Sequence, residues 1–393
     1  MKITFMLFYY EPEKPTINYL FQPLIDYYLA KGFTVNIVTP NPTRGLSKVD
    51  IEKYLNTTIE RQQNLFIHRV KCFTYLPENF SKWNLLRRYI SVSTNLSRYL
   101  RKLDSDLIFV SSNPPLLYSY LVTKYAARKK IPVIYNVQDI YPNNIFKRRN
   151  PFYHFFNFFQ KKSLKRATEI VTISQTMRDT LLRKGKYADK LNVIYNFDIS
   201  NVKMFPHKKN PFFNENKFNV VYAGNIGYVQ DVDVILAAAK HLLNDPYIAF
   251  HIFGEGSQAA RISARIKDEN IVNTTFYAPL KVAESALIYK TSDVNLISIL
   301  PGIISTALPL KTASALAAKK PIIFIGLDSK LELWSEHKGI TKVSDRDHLY
   351  LSKKISELAQ KPRELHNYST HLFNKETYLK DYTTIMNRYL KLK

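Results

Sequence analysis

Asn219-Val-Val-Tyr-Ala-Gly-Asn-Ile-Gly227 is a short apolar run ending in two closely spaced glycines, and a helix-patterned stretch, Val232 to Leu243, follows it. A strand that runs through a glycine turn into a helix is the opening unit of a parallel sheet, since parallel strands need a crossover and a helix is the usual one. The unit repeats downstream as strand Ile248 to Phe253, helix Ser257 to Lys267, strand Thr274 to Tyr277, helix Val282 to Lys290 and strand Val294 to Ile297. Upstream the rhythm is the same. Residues 2–8 are an apolar run, Thr16 to Lys31 reads as a helix closed by Gly32, and Thr34 to Val38 is β-rich. Leu107 to Val110, Leu116 to Lys130, Val133 to Val137 and Ile170 to Ile173 continue it. Alternation in both halves predicts an α/β protein of two doubly wound, Rossmann-like domains facing a central cleft. The polar stretch Asn201 to Lys217, with Pro206 and Pro211, sets the division: 1–200, then 201–374, then a C-terminal helix, 375–393, expected to return to the first domain.

Composition narrows the classes. The 393 residues are 46% hydrophobic and 23% charged, enough apolar surface to bury sizeable cores, which excludes a disordered chain. Cys72 is the one cysteine, so neither a disulfide framework nor a cysteine-rich zinc site can be built, and the cytoplasm is the expected compartment. No cleavage-site pattern precedes Glu11 and no run of about eighteen apolar residues occurs, so neither export nor a membrane span is expected. The net charge of +25 is uneven: residues 1–200 carry 31 basic against 14 acidic residues, the rest 26 against 18. Such an excess points to an anionic partner of the first half, whether nucleic acid, anionic lipid or a phosphate-bearing substrate.

The loop Gly224 to Gly227 stands between strand and helix, where backbone without side chains can approach a diphosphate. Neither a full Gly-x-Gly-x-x-Gly fingerprint nor a Walker loop is present, which argues against dehydrogenase and P-loop readings.

The segments Ser112-Asn-Pro-Pro115, Val137-Gln-Asp-Ile-Tyr-Pro142, Thr172-Ile-Ser174, Tyr195-Asn-Phe-Asp198, Val221 to Gly227, Ile252-Phe-Gly-Glu-Gly256, Ser292-Asp293 and Pro301 to Lys311 occur in this order. In that order and spacing the chain resembles the family 4 glycosyltransferases of GT-B fold, in particular the bacterial L-fucosamine transferase branch of surface polysaccharide assembly. The resemblance implies retaining transfer of a sugar from a nucleotide-diphosphate donor on the second domain to an acceptor over the first, with no metal and no separate cofactor. Gly224, Asn225 and Gly227 would supply backbone N–H groups to the diphosphate and Lys311 a cation, offsetting the charge of the departing group. Gly254, Pro279 and Gly302 fall in the matching donor loops. Where the family often carries a pair of Glu residues, this chain has Thr306 and Ser314, and a hydroxyl is a weaker acceptor for ribose than a carboxylate.

Asp139 follows the run Val133 to Val137 and is expected at the carboxyl end of a parallel strand, a place for orienting or deprotonating an acceptor hydroxyl. Gln138 beside it and Glu11 after the first strand are the acceptor-side candidates. Glu11-Pro-Glu-Lys-Pro-Thr16 stands where many relatives have a glycine-rich loop.

Two basic amphipathic stretches complete the reading. From Trp83 to Leu103, Leu85, Tyr89, Val92, Leu96, Tyr99, Leu100 and Leu103 recur on one face, with Arg87, Arg88, Arg98 and Arg101 assigned to a membrane-facing side. From Phe146 to Arg166, Phe152, Phe155, Phe156 and Phe159 share a face flanked by Lys147, Arg148, Arg149, Lys161, Lys162, Lys165 and Arg166. Cations on helix flanks suit an anionic leaflet and a polyprenyl-diphosphate-linked acceptor, at the inner face of the plasma membrane, better than they suit nucleic acid. The alternatives are a sugar-nucleotide 2-epimerase and a catalytically silent, membrane-associated scaffold.

Overall fold

The computed structural model describes residues 1–393 except 14–15, 44–50, 55, 57, 76–78, 80, 113–115, 144–148, 206–208, 328–332, 344–345 and 391–393. Lys14, Pro15, Asn113 to Pro115, Phe146, Lys147, Arg148 and Pro206, all named above, therefore lie outside the described residues. Two compact units emerge, one of Met1–Tyr195 with Glu376–Lys393, the other of Asn196–Lys375.

The strands of the first unit are β1 (Lys2–Met6), β2 (Thr34–Pro40), β3 (Thr58–Gln62), β4 (Leu65–Val70), β5 (Leu107–Ser111), β6 (Val133–Val137), β7 (Glu169–Thr172) and β8 (Leu191–Val193). They form one sheet in the order β3-β4-β2-β1-β5-β6-β7-β8. Every pairing is parallel except β3 with β4, a hairpin turning through Gln63 at φ 51°. β5 and β6 are buried along their whole length, which is why they read as continuous apolar runs. Edge strand β3, Thr-Ile-Glu-Arg-Gln, carries no such run and gave no strand signal.

Helix Lys82–Leu100 starts on Ser81, whose side chain accepts from the Asn84 N–H at 3.1 Å. Its buried residues are Arg88, Val92, Ser93, Leu96, Ser97 and Leu100. The serines bury by donating to carbonyls one turn back, Ser93 to Tyr89 and Ser97 to Ser93. Helix Pro151–Arg166 buries Tyr153, Gln160, Ser163 and Leu164, a face about a quarter-turn round from the one its phenylalanines share. The reason is polar: Lys184 Nζ donates to Asn157 Oδ1 at 3.3 Å and to Gln160 Oε1, drawing the amide side of the helix inward.

The last helix, Lys375–Asn387, packs in the first unit. Asn136 Nδ2 donates to the Tyr382 hydroxyl, the Tyr28 hydroxyl to Asn387 Oδ1 at 3.0 Å, and Tyr389 to Glu169 Oε1 at 2.7 Å. Tyr378 and Tyr382 are both fully buried there.

The second unit holds β9 (Phe218–Ala223), β10 (Ile248–Phe253), β11 (Thr274–Tyr277), β12 (Val294–Ser298), β13 (Ile322–Ile325) and β14 (Ile340–Val343), all parallel, in the order β11-β10-β9-β12-β13-β14. Val220, Tyr222, Ile235, Leu236, Phe250, Ile252, Leu296 and Ile323 lie in its core. The division falls at Tyr195 rather than at residue 200, because Asp198 belongs to the second unit: its N–H donates to the Phe373 carbonyl, and its carboxylate accepts from Val202 N–H at 2.7 Å.

Candidate functional site

β9 lies between β10 and β12, so the chain leaves it at the point where the strand order reverses, the place where open α/β sheets bind ligands. The turn there is Gly224 to Gly227. Gly224 has φ +141°, and a Cβ on it would stand 2.9 Å from Lys311 Nζ. Gly254, at the end of β10, has φ +156°, and a Cβ there would meet the Gly224 carbonyl oxygen at 1.9 Å. The two loops are sewn together by Gly224 N–H to Phe253 O at 2.9 Å and Ile226 N–H to Glu255 O at 2.7 Å.

These bonds correct the expected donor roles. The Gly224 N–H is taken by Phe253, the Gly254 N–H by Tyr277 at 3.3 Å, and the Gly227 N–H by Gln230 Oε1 at 3.1 Å. The glycines therefore contribute room, and Asn225 is the residue of the turn whose N–H meets no acceptor among the described residues. Its carbonyl accepts from the Tyr222 hydroxyl at 2.6 Å.

Beneath the turn lies Lys311, the first residue of helix Lys311–Ala317. Its Nζ is buried, has no hydrogen-bond partner, and sits 3.5 Å from the centroid of the Tyr222 ring. A cation over an aromatic face gains some stabilisation, but an ammonium out of water without a counter-ion remains costly. Burial accordingly pulls its pKa down to about 7. Tyr222 was not singled out from the sequence; its place at an inward position of β9, two residues before Gly224, was the available signal.

Thr306 and Ser314 do not present their hydroxyls. Thr306 donates back to the Ile303 carbonyl at 2.9 Å, closing a turn that begins at exposed Gly302 with φ +80°. Ser314 donates to Asp198 Oδ1 at 2.7 Å and lies 2.7 Å from the Ser200 hydroxyl. Both side chains are buried, so neither replaces a carboxylate facing ribose. Pro279 is exposed just past β11.

In the first unit Asp139 follows β6 and is partly buried. Burial pushes its carboxyl up to about 6, against an opposing hydrogen bond from Tyr141. The segment after it is held by Lys184, whose Nζ donates to Tyr141 O at 3.4 Å and Asn143 Oδ1 at 2.7 Å. Gln138 is buried, with its amide donating to Asn136 Oδ1 at 2.9 Å and its N–H to Ser112 Oγ at 3.0 Å, a role in the sheet rather than at its surface.

Residues 21–197 match the family model Glycosyltransferase Family 4 and residues 204–371 match Glycosyl transferases group 1. Each half of the chain thus matches a glycosyltransferase domain. Among curated proteins the chain is similar to the probable glycosyltransferase WbjE of Pseudomonas aeruginosa, 24% identical over 65% of this chain and 66% of that protein. It is also similar to the putative colanic acid biosynthesis glycosyl transferase WcaI of Escherichia coli, 27% identical over 40% of each chain. The chain thus spans just under two thirds and two fifths of these relatives' lengths. Among solved structures, sucrose-phosphate synthase from Thermosynechococcus elongatus aligns with a TM-score of 0.76 at 15% identity, covering 98% of both chains. Anabaena Alr3699/HepE in complex with UDP aligns at 0.64 with 14% identity, covering 99% of this chain and 100% of that one. The UDP-GlcNAc 2-epimerase of Methanocaldococcus jannaschii aligns at 0.59 with 14% identity, covering 99% and 100%. These likenesses establish the GT-B fold.

In the family 4 domain, Arg88 departs from its expected place. It is buried, and its guanidinium donates to the carbonyls of Phe73 at 3.0 Å and Asn41 at 3.2 Å, so it ties loops together and faces no membrane. Arg87, Arg98 and Arg101 are exposed, with Arg87 4.3 Å over the Phe73 ring. Glu11 is exposed in the loop after β1. No described helix is long and apolar enough to cross a membrane.

Proposed function

We propose that the chain is a retaining, metal-independent glycosyltransferase that moves a sugar, an N-acetylated deoxyhexose of the fucosamine kind, from a nucleotide-diphosphate donor to a polyprenyl-diphosphate-linked saccharide in capsule, O-antigen or exopolysaccharide assembly. The observation that carries this reading is Lys311, a buried ammonium with no partner beneath a glycine turn at the switch point of the group 1 domain. An arriving diphosphate supplies the missing counter-charge. As the sugar–phosphate bond breaks, negative charge grows on the departing oxygen, and a desolvated cation already in place stabilises it without reorganisation. The departing phosphate takes the acceptor proton in a front-face transfer, and Asp139 orients the acceptor hydroxyl.

The lipid part of the reading draws on helix Pro151–Arg166. Phe152, Phe155 and Phe158 are 60%, 58% and 50% exposed, with exposed Lys161, Lys162 and Lys165 on the same helix. Aromatic side chains with flanking cations suit the interface of an anionic bilayer on the cytoplasmic side, where such an acceptor is met.

The buried hydroxyls at Thr306 and Ser314 favour one other reading, a scaffold of the same fold without catalysis. Incubation with a panel of UDP-, GDP- and dTDP-sugars and a polyprenyl-diphosphate saccharide, with product mass as readout, tests the transferase. A calorimetric titration with no nucleotide-dependent heat would support the scaffold instead.

A further inference from the structure

The family 4 domain has a cavity of about 530 Å³ that the donor site does not use, between the loop after β1, helix Thr16–Ala30 and the β3–β4 hairpin. Its volume lies within the roughly 300–1,000 Å³ typical of small-molecule sites. Three carboxylates line it, Glu11, Glu13 and Glu60, against one guanidinium, Arg69. A chain of +25 has therefore gathered local negative charge here.

Two polar atoms of the lining lack partners. Arg69 is 2% exposed, and its Nε and Nη2 go to Glu60 at 2.5 and 3.4 Å, yet Nη1 has no acceptor. Asn18 is 9% exposed and donates to the Glu13 carbonyl, yet its Oδ1 has no donor. Both atoms lie behind the cavity wall, where they mark a lining that is polar to its base. Tyr19, 43% exposed, and Tyr54, stacked 5.0 Å under the Arg69 guanidinium, supply aromatic surface. Among the described residues no cluster of His, Cys, Asp and Glu has the arrangement of a metal site.

We propose that this cavity binds a sugar residue that carries no anionic group, as the saccharide subsite of the acceptor. The inference rests on the transferase reading and adds a substrate class to it. Carboxylates accept from vicinal hydroxyls, and a tyrosine face covers the apolar side of a pyranose. Phosphate or uronate groups are repelled by the carboxylate excess, so the lipid diphosphate lies outside the cavity and the sugar within it.

Saturation-transfer NMR on the full chain with N-acetylglucosamine, glucosamine and glucose 6-phosphate tests this. Transfer to the first two and not to the third is expected. Tyr19→Ala and Glu11→Gln, both at exposed positions, should each weaken the two bound sugars by about tenfold while UDP binding by calorimetry stays unchanged. Glucose 6-phosphate binding as well as glucosamine, or sugar binding indifferent to both substitutions, overturns the proposal. UDP binding with no transfer to any sugar overturns it while leaving the donor reading standing. Sugar binding without UDP binding supports the cavity and sinks the donor reading.

Discussion

β1 and β9 hold equivalent places, each between two parallel neighbours at the switch point of its sheet, yet the turns that leave them are opposite in chemistry. After β9 come glycines with a buried, unpaired lysine below. After β1 comes Glu11-Pro-Glu13, without glycine and beside a carboxylate-lined cavity. The more basic half of the chain thus carries the acidic site, and the less basic half carries the buried cation. Net charge reports the surface a protein shows to large partners; the polarity of a site is set by the few groups the fold desolvates.

Lys311 offers the sharpest way to break this contrast. Lys311→Ala should cost about 1.5 to 3 kcal/mol of donor or transition-state binding, measured by calorimetry and kcat/KM, and unchanged values would remove the lysine from the donor site. The same lysine makes a stability prediction of opposite sign. Its folded pKa lies near 7, below its usual value of 10.5, so the unfolded chain holds the proton more tightly across that window. Stability should therefore rise as pH increases from about 7 towards 10.5, and Lys311→Met should stabilise the unliganded protein by a few kcal/mol at or below pH 7, the gain shrinking at higher pH. Thermal melts across that range check it.

Two glycines sharpen the contrast between steric and conformational roles. Gly254→Ala places a Cβ against the Gly224 carbonyl and should cost about 1 to 3 kcal/mol of stability together with donor affinity. Gly302→Ala meets open space, so only its positive φ is strained, and about 1 kcal/mol is expected, with denaturant melts as the measurement.

Asp139→Asn should lower turnover by roughly tenfold, less than the loss of a full general base, while nucleotide affinity holds. Equal loss of nucleotide binding would move Asp139 to the donor side. Its carboxyl is raised to about 6, so the native state binds that proton more tightly than the unfolded chain. Its contribution to stability is present at low pH and lost as pH rises through about 6, a dependence that Asn should abolish.

The smallest effects per residue belong to the surface. Neutralising Arg87, Arg98 or Arg101 should each weaken co-sedimentation with acidic vesicles by about 1 kcal/mol, with wild-type binding lost as salt shortens the Debye length below about 10 Å. Phe152→Ser with Phe155→Ser should weaken it further. Indifference of the wild type to acidic vesicles at low salt would remove the bilayer from the reading.

The parallel strands were legible because burial on both faces writes itself as apolar runs: Val133–Val137 and Ile248–Phe253 have the bounds read from sequence. Hairpin strand β3 was not, since an edge strand of alternating polar residues carries no run. Lys311 was found through its neighbours in sequence, but its lack of a partner is a tertiary fact. Arg88 misled because its charge was read ahead of its position: it stands one turn before Val92 on the buried face, and carbonyls of Asn41 and Phe73, distant in sequence, accept from it there. The inward face of Pro151–Arg166 was not legible, since Gln160 and Asn157 are polar and turn inward only because Lys184 meets them there.

The return of helix Lys375–Asn387 to the first unit has a consequence for biosynthesis. On the ribosome, residues 196–375 are contiguous and can close as soon as they emerge, whereas the sheet begun by the first residues to appear still lacks Tyr378, Tyr382 and the partners of Glu169. The unit made first is finished last, so a chain that ends at residue 375 should hold a completed second unit and a first one with an open seam beside Asn136.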